Sequence, residues 1–338
     1  LMRKGLEKGI SQPKIIFNDF EDTYNTHIVE GYENSFYYKP FLDLPGNISE
    51  AKRDSLLTAA QDVIEQSVIP QFKIIKQFFE EEYFVKTRER GGVSNFPNGA
   101  AYYQNRVEFY TTLNITAEEV HQKGLQEVAR IKSEMEAIIA EVGFKGSFAD
   151  FLTFLRTDPQ FYATTPEELL KEARDISKRI DGELPKFFFT LPRKPYGVAP
   201  VPDPIAPKYT GGRYIPAGRN STRAGFYWVN TYDLKSRPLY ILPALTLHEA
   251  VPGHHLQMSL NSELGDHIPD FRRRLYLSAY GEGWGLYAEF LGNDMGIYTT
   301  PYEEFGKLTY EMWRACRLVV DTGIHAKNWS REQAVDYL

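Results

Sequence analysis

The chain has 338 residues, of which 42% are hydrophobic and 25% charged, enough to bury a sizeable core in one large domain or two closely packed ones. Its 39 basic and 45 acidic residues leave a net charge of −6 without a long block of like charge, so we do not expect nucleic acid as a partner. Because no apolar run approaches the roughly 18 to 20 residues of a membrane helix, and the N-terminus lacks a signal-peptide pattern, we expect no transmembrane segment.

Helical patterns dominate the first half of the chain. An apolar series from Leu56 to Ile64 runs toward Pro70, where we expect a kink or a break because proline lacks the backbone N–H that a helix needs. The residues Thr116–Glu119 form a capping box, and apolar residues follow at helical spacing until Gly143. This pattern predicts a long helix.

Prolines mark the middle of the chain. A second capping box, Thr165–Glu168, predicts a helix that ends near Pro185. From Pro185 to Pro216, eight prolines fall in 32 residues, a density that regular secondary structure cannot absorb. We therefore expect an extended connector here.

A short segment after the connector has the composition of a strand. Residues Gly225–Thr231 are rich in aromatic and β-branched side chains. The strand could be a simple packing element, or an edge strand that binds a peptide backbone by strand addition. In the second case Asn230, near its end, is a candidate substrate contact.

The remaining elements are helical. The pattern from Leu239 to Leu260 is interrupted at Pro243 and Pro252, and further helices are expected at about Arg272–Leu291 and at Pro301–Ala326. The predicted fold class is therefore mainly α, with a small β element beside the helix that carries the candidate metal ligands.

Candidate metal ligands cluster in this region. Three of the seven histidines, His248, His254 and His255, lie within eight positions, and Glu282 and Glu289 follow on the next predicted helix. A neutral imidazole suits zinc, and a carboxylate can complete a three-ligand site that leaves the fourth position for water. With a single cysteine in the chain, histidine and carboxylate must hold any metal.

The spacing of these histidines departs from the usual His-Glu-x-x-His pattern, because Pro252 stands where the second histidine would be. Proline cannot donate to the carbonyl of His248, so the helix should widen or break here. A two-residue bulge would bring His254 to the place of the second ligand. In an unbroken helix His255 would instead share the face of His248, at an axial separation of roughly 10 Å.

A polar stripe on the last long helix forms a second candidate cluster. At 100° per residue its members share one face; they are Tyr310, Arg314, Arg317, Asp321 and His325. If the stripe lines a cleft, Asp321 could orient His325 toward an oxyanion, either arginine could hold a substrate carboxylate, and Tyr310 could donate a further hydrogen bond. The alternative is an ion-pair network that ties helices together.

Three motifs in the second half are long and specific. They are HEAVPGHHLQ at 248–257, EGW at 282–284 with Glu289, and WR at 313–314 continuing to DTGIH at 321–325. They resemble the bacterial family called domain of unknown function 885, regarded as zinc metallopeptidases of the thermolysin-like group, over nearly the whole chain. The resemblance implies a mostly helical peptidase fold with a small sheet edge beside the zinc helix.

The resemblance also implies the ligands of one zinc ion. Carried over by position, they are His248, Glu282 and one histidine of the pair His254 and His255. We prefer His254, because residues 253–256 also resemble the Gly-His-x-Leu around the second zinc histidine in helical peptidases related to thimet oligopeptidase. The other histidine, His255, is then expected just outside the ligands.

By the same resemblance Glu249 is the general base. Glu289 lies seven residues after Glu282 on the same helix face, where we expect it to support the ligands or to have a structural role. Zinc lowers the pKa of its bound water to about 7, and Glu249 can take the proton as that water attacks a peptide carbonyl. The predicted function is a zinc-dependent peptidase acting on peptides. The alternatives are a zinc hydrolase of other amides or esters, and an inactive binding or scaffold protein that retains the site.

We expect three regions within one peptidase domain: a helical scaffold over 1–184, a Pro-rich connector over 185–223 and a zinc-site catalytic region over 224–338. Because the chain begins at Leu1 rather than Met and stops just inside a new helix at Leu338, we expect it to be part of a longer protein. An exported or periplasmic location is the expectation, and the cytoplasm is the alternative.

Overall fold

The computed structural model describes residues 1–218, 221–265 and 267–338. The structure is 65% helix and 5% strand, so the fold class is mainly α with a small β element, as predicted. Among the helices of these residues, none combines the length and the apolar character needed to cross a bilayer.

The described residues divide into two compact units. The first unit is Leu1–Asn105 with Thr322–Leu338, and the second unit is Arg106–Asp321. These boundaries differ from the three regions predicted from composition, because packing contacts rather than prolines define them.

The helices are α1 (Met2–Glu7), α2 (Asp22–Asn25), α3 (Glu50–Val63), α4 (Ile69–Gln77), α5 (Gly99–Thr111), α6 (Ala117–Glu141), α7 (Phe148–Thr157), α8 (Pro166–Phe187), α9 (Leu242–Glu249), α10 (His254–Glu263), α11 (Asp270–Arg274), α12 (Ser278–Asp294), α13 (Pro301–Ala326) and α14 (Arg331–Tyr337).

In the first unit the helical run toward Pro70 widens instead of stopping. After α3 comes a π-helical turn at Ile64–Val68, and α4 then begins with Pro70 in its first turn, where a missing N–H costs little. The predicted kink or break therefore takes the form of a wide turn. Two small apolar clusters, one containing Ile64 and the other Phe79, form the core of this unit.

The predicted helix starts are present in the second unit. Thr116 forms its capping box at the start of α6, which ends just before Gly143 in the left-handed conformation, at φ +69°. Thr165 accepts a hydrogen bond from the backbone N–H of Glu168 at 3.1 Å. Pro185 lies in the last turn of α8 rather than after it.

Two apolar cores stabilise the second unit. One lies between α8, the sheet and α9; its members include Leu169, Ile176, Ile180, Tyr227, Val229, Leu242 and Leu247. The other joins α6, α7 and α13; its members include Ile131, Met135, Phe151, Leu155, Phe305 and Leu308. The first core fixes the position of the helix that carries the candidate ligands.

The Pro-rich connector supplies two of the three strands of a small sheet. The strands β1 (Tyr196–Pro200), β2 (Gly212–Ile215) and β3 (Gly225–Val229) lie in the order β1-β3-β2, with β1 parallel and β2 antiparallel to β3. The connector was predicted to lack strands, but its only proline within a described strand is Pro200, at the end of the edge strand β1, where proline is tolerated. The strand predicted at Gly225–Thr231 is central, so it cannot be the edge to which a peptide adds.

Candidate functional site

The helix that carries the candidate ligands is interrupted at the place where Pro252 was predicted to interrupt it. α9 ends at Glu249 and α10 begins at His254. The chain between them passes close to the carbonyl of His248, since a Cβ added to Gly253 would lie 1.8 Å from that oxygen. The turn brings the rings of His248 and His254 to a centroid distance of 4.7 Å, nearly perpendicular to each other.

Three side chains converge at this turn. His248, His254 and Glu282 each offer one ligand atom, and these atoms all lie within 4.8 Å of one another. Nε2 of His248 is 3.5 Å from one oxygen of Glu282, and Nε2 of His254 is 3.8 Å from the other. Ligand atoms of tetrahedral zinc, with bonds of about 2.0 to 2.2 Å, are separated by about 3.3 to 3.6 Å. The separation between His248 and Glu282 lies in this range and the others are wider, so these three side chains are a donor set that could hold a divalent ion such as zinc if they closed around it.

A buried carboxylate holds the ring of His248. Nδ1 of His248 donates to Glu289 Oε1 at 2.7 Å, and the hydroxyl of Tyr298 donates to the Glu289 backbone carbonyl at 2.7 Å. Because an ionised carboxylate only accepts hydrogen bonds, Nδ1 carries a proton, and Nε2 is the nitrogen that a metal would bind in exchange for its own proton. Glu289 thus contacts a candidate ligand, His248, from the side opposite Glu282.

Arg314 neutralises this buried carboxylate. Its Nη2 is 2.9 Å from Glu289 Oε1, and Glu289 is only 1% exposed, so the pair compensates a charge that would be costly alone. The sequence predicted Arg314 as a substrate contact. The structure corrects this, because the guanidinium is directed to Glu289 and lies 3.2 Å from Nδ1 of His248.

The charges around the three ligands favour a cation. Burial alone would lower the pKa of His248, but its contacts with Glu282 and Glu289 raise it to about 9. The hydrogen bond with His248 lowers the pKa of Glu282 to about 2, against the effect of burial. Burial and the neighbouring His248 lower the pKa of His254. Positive charge between the two carboxylates is thus stabilised, as a divalent ion requires.

Glu249 lies next to the ligands in a cleft of about 410 Å³. Its Oε2 accepts a hydrogen bond from the backbone N–H of Tyr214, on edge strand β2, at 2.8 Å. Burial raises the pKa of Glu249, which brings it closer to the range of an effective proton acceptor at neutral pH. The strand therefore orients the carboxylate predicted to be the base.

The residues of the polar stripe predicted on α13 do not all line the cleft. The members that line the cleft are Tyr310, Arg314 and Arg317. His325 belongs to the first unit, where its Nδ1 accepts from the backbone N–H of Val93 at 3.2 Å and its side chain lines another cavity. Neither Asp321 nor His325 is among the described residues that line the cleft, and His325 follows Arg314 by eleven residues, about three helical turns, on α13.

Two other predicted site residues support the surrounding structure. His255 is 2% exposed, and its Nδ1 lies 2.9 Å from the hydroxyl of Tyr214 and 3.2 Å from that of Ser259. Burial lowers the pKa of His255 to about 4, so the ring stays neutral. Asn230 was predicted as a substrate contact, but it is fully buried and its amide donates to three carbonyls in the loop at 206–210.

Two contacts of the site were not predicted. The hydroxyl of Tyr276 donates to Glu282 at 2.9 Å, and a Cβ added to Gly285 would lie 2.4 Å from Cε1 of His248. The spacing of glycines along α12 could have indicated the close approach to α9. No sequence signal marks Tyr276, since it lies in the loop before that helix.

Comparison with known proteins places these features in a family. The family model described as "Bacterial protein of unknown function (DUF885)" matches residues 1–338. No curated protein matches the chain. Among solved structures, the chain is similar to a presumed lipoprotein from Colwellia psychrerythraea, with 29% identity and a TM-score of 0.90. The match covers 99% of this chain and 58% of the other, so the present chain spans little more than half the length of that protein.

Proposed function

The chain belongs to the DUF885 family of bacterial proteins, and from its site we propose that it is a zinc-dependent peptidase. One observation carries the proposal. His248, His254 and Glu282 present ligand atoms within 4.8 Å of one another, and the buried carboxylate of Glu249 lines the same cleft. This combination of a three-ligand site and a neighbouring proton acceptor suits hydrolysis.

The residues of the cleft divide the chemical roles between them. When bound, zinc supplies Lewis acidity, which polarises a substrate carbonyl and acidifies water. Glu249 takes a proton from the attacking water and returns it to the leaving amine; the Tyr214 N–H holds Oε2, so Oε1 carries the proton. Tyr310 lines the cleft, and burial raises the pKa of its hydroxyl, so the hydroxyl stays protonated and can donate to the oxyanion.

The edge of the sheet favours peptides as substrates. Strand β2 pairs with β3 on one side, and its first residue, Gly212, lines the cleft together with Gly211. An extended peptide binds to such an edge through main-chain hydrogen bonds, which simple esters cannot form. We propose an exported location as well, supported by the similarity to a presumed lipoprotein, which fractionation of expressing cells would test.

The proposal is tested by metal analysis coupled to a peptide-library digest. Protein purified without chelator is expected to contain one zinc per chain and to cleave peptides. Removal of the metal should abolish cleavage, and added zinc should restore it. Protein that holds no metal and cleaves nothing would instead be a binding or scaffold protein. Cleavage of simple esters with peptides left intact would also contradict the proposal.

Gly285→Ala is expected to weaken zinc binding by about 10- to 100-fold, the usual cost of disturbing a group that positions a ligand. The new Cβ would lie 2.4 Å from Cε1 of His248, so the ring must move. Gly283→Ala is the matched control on the same helix, because nothing lies within 4 Å of its Cβ. Competition with a chromogenic chelator measures the affinity. Equal affinities in the two variants would show that the close approach does not position His248.

A further inference from the structure

A second pocket adjoins the cleft in the second unit. Its volume is about 350 Å³, and its walls are mainly aliphatic, with Val229 and Leu242 among them. Leu245, Tyr310 and Trp313 line both this pocket and the cleft. The two cavities are therefore neighbours that share a wall.

The pocket contains one cationic side chain with unused hydrogen-bonding capacity. Arg237 lines the pocket, and its Nη1 donates to the backbone carbonyl of Ser236 at 3.0 Å. Its Nε is buried and has no hydrogen-bond partner, and no carboxylate of the residues described pairs with the guanidinium. Arginine stays charged at any physiological pH. The guanidinium therefore lines the pocket as a cation without an ion-pair partner among the described residues, and an anion bound there would compensate its charge.

The two arginines that line the cleft itself are less suited to bind a ligand anion. Arg314 pairs with Glu289 at 2.9 Å. Arg317 is exposed and lies over the ring of Trp313, at 5.1 Å from its centroid, where water competes for the guanidinium. Arg237 is thus the cation best placed to bind a desolvated anion.

Helix geometry gives the distance from this pocket to the metal ligands. Leu245 precedes His248 by three residues on α9, and Tyr310 precedes Arg314 by four on α13. The shared wall therefore lies about one helical turn, roughly 5 to 6 Å, from the ligand region. One or two residues of extended substrate, at about 3.3 Å each, cover that distance.

We propose that this pocket binds a substrate carboxylate one or two residues from the cleaved bond, through Arg237. The aliphatic walls contact the stem that carries the carboxylate. The terminal nitrogens Nη1 and Nη2 present the planar pair of donors that matches a carboxylate in a bidentate pair. The carboxylate is either an acidic side chain or the C-terminal carboxylate of a short peptide. The proposal rests on the proposed peptidase function, since the substrate position is defined by the cleft.

The test uses two pairs of peptides with the zinc-loaded full chain. One pair differs only by Glu or Gln near the cleaved bond, and the other by a free or an amidated C-terminus. The pair with the larger difference in kcat/KM identifies the source of the carboxylate. We expect a preference of about 10- to 100-fold for the charged member. An absence of preference in both pairs overturns the proposal.

The variant Arg237→Gln tests whether the pocket causes the preference for charged peptides. This variant is expected to lose the preference while it cleaves the uncharged peptides at an unchanged rate, and Arg237→Lys should keep part of it. Lys235→Gln, which removes an exposed charge two residues away, is the control. If the preference persists in Arg237→Gln, or if Arg237→Gln cleaves all four peptides equally poorly while melting like the parent chain, the pocket assignment is wrong.

Binding calorimetry separates this proposal from the proposed function. If no peptide is cleaved, the peptidase proposal fails, but the same four peptides can be titrated into the parent chain and into Arg237→Gln. Tighter binding of the charged peptides to the parent chain alone supports the pocket without any turnover. Equal binding of charged and uncharged peptides to the parent chain overturns the pocket proposal. This outcome does not depend on whether Arg237→Gln folds.

Discussion

Glu249→Gln is expected to keep its zinc and to lose peptide hydrolysis by on the order of a thousandfold or more, because the change removes a proton acceptor and no metal ligand. The substitution is conservative in structure. An amide oxygen can still accept the hydrogen bond from the Tyr214 N–H, which is 2.8 Å long in the parent chain. Orientation is thus kept while basicity is lost.

Zinc content and turnover are to be measured on the same samples of Glu249→Gln. Glu167→Gln, the same chemical change at an exposed position of the second unit, controls for the loss of one charge. Substantial turnover in zinc-loaded Glu249→Gln would remove this residue from the role of base. Loss of zinc would instead show that Glu249 helps to hold the ion.

His254→Ala should lower zinc affinity by on the order of a hundredfold or more, because it removes one of the three proposed protein ligands. His255→Ala should bind zinc almost normally, since the Nδ1 of His255 faces Tyr214 and Ser259. Its loss leaves buried hydroxyl groups without this partner, at a cost of about 1 to 3 kcal/mol in the free energy of unfolding. We thus expect the loss of His254 to change mainly the zinc affinity and the loss of His255 to change mainly the stability.

Chelator competition gives the affinities, and thermal melting of the metal-free proteins gives the stabilities. Each variant serves as the control for the other, because both replace a buried imidazole in the first turn of α10. A collapse of zinc binding in His255→Ala, with near-normal binding in His254→Ala, would contradict the arrangement and leave the peptidase proposal to rest on another ligand set.

The sequence predicted the helix starts and helix breaks, because these depend on neighbouring residues. The missing N–H of Pro252 predicts the end of α9, and capping residues such as Thr116 predict helix starts within one residue. The convergence of His254 on His248 follows from the same break. Each of these features depends on residues that are close together in the chain.

Partners that are distant in the chain were not predictable in the same way. A proline-rich segment gives no sign that Gly212–Ile215 pairs with β3, because strand pairing depends on residues outside the strand. Polar side chains also look alike in a sequence whether they face a ligand or the interior. Asn230 and Arg314 therefore seemed free to contact substrate, although Asn230 binds backbone carbonyls and Arg314 pairs with Glu289.

The two carboxylates of α12 connect the proposed metal binding to the cooperativity of local opening. Glu282 and Glu289 lie two turns apart on one helix, and they contact opposite nitrogens of the same His248 ring. A rigid displacement of α12 must therefore withdraw both at once, which leaves Arg314 beside a broken ion pair. We therefore expect α9 and α12 to separate as one cooperative unit, and an ion bound at the proposed site would raise the opening free energy by RT ln(1 + c/Kd), where c is the concentration of the free ion.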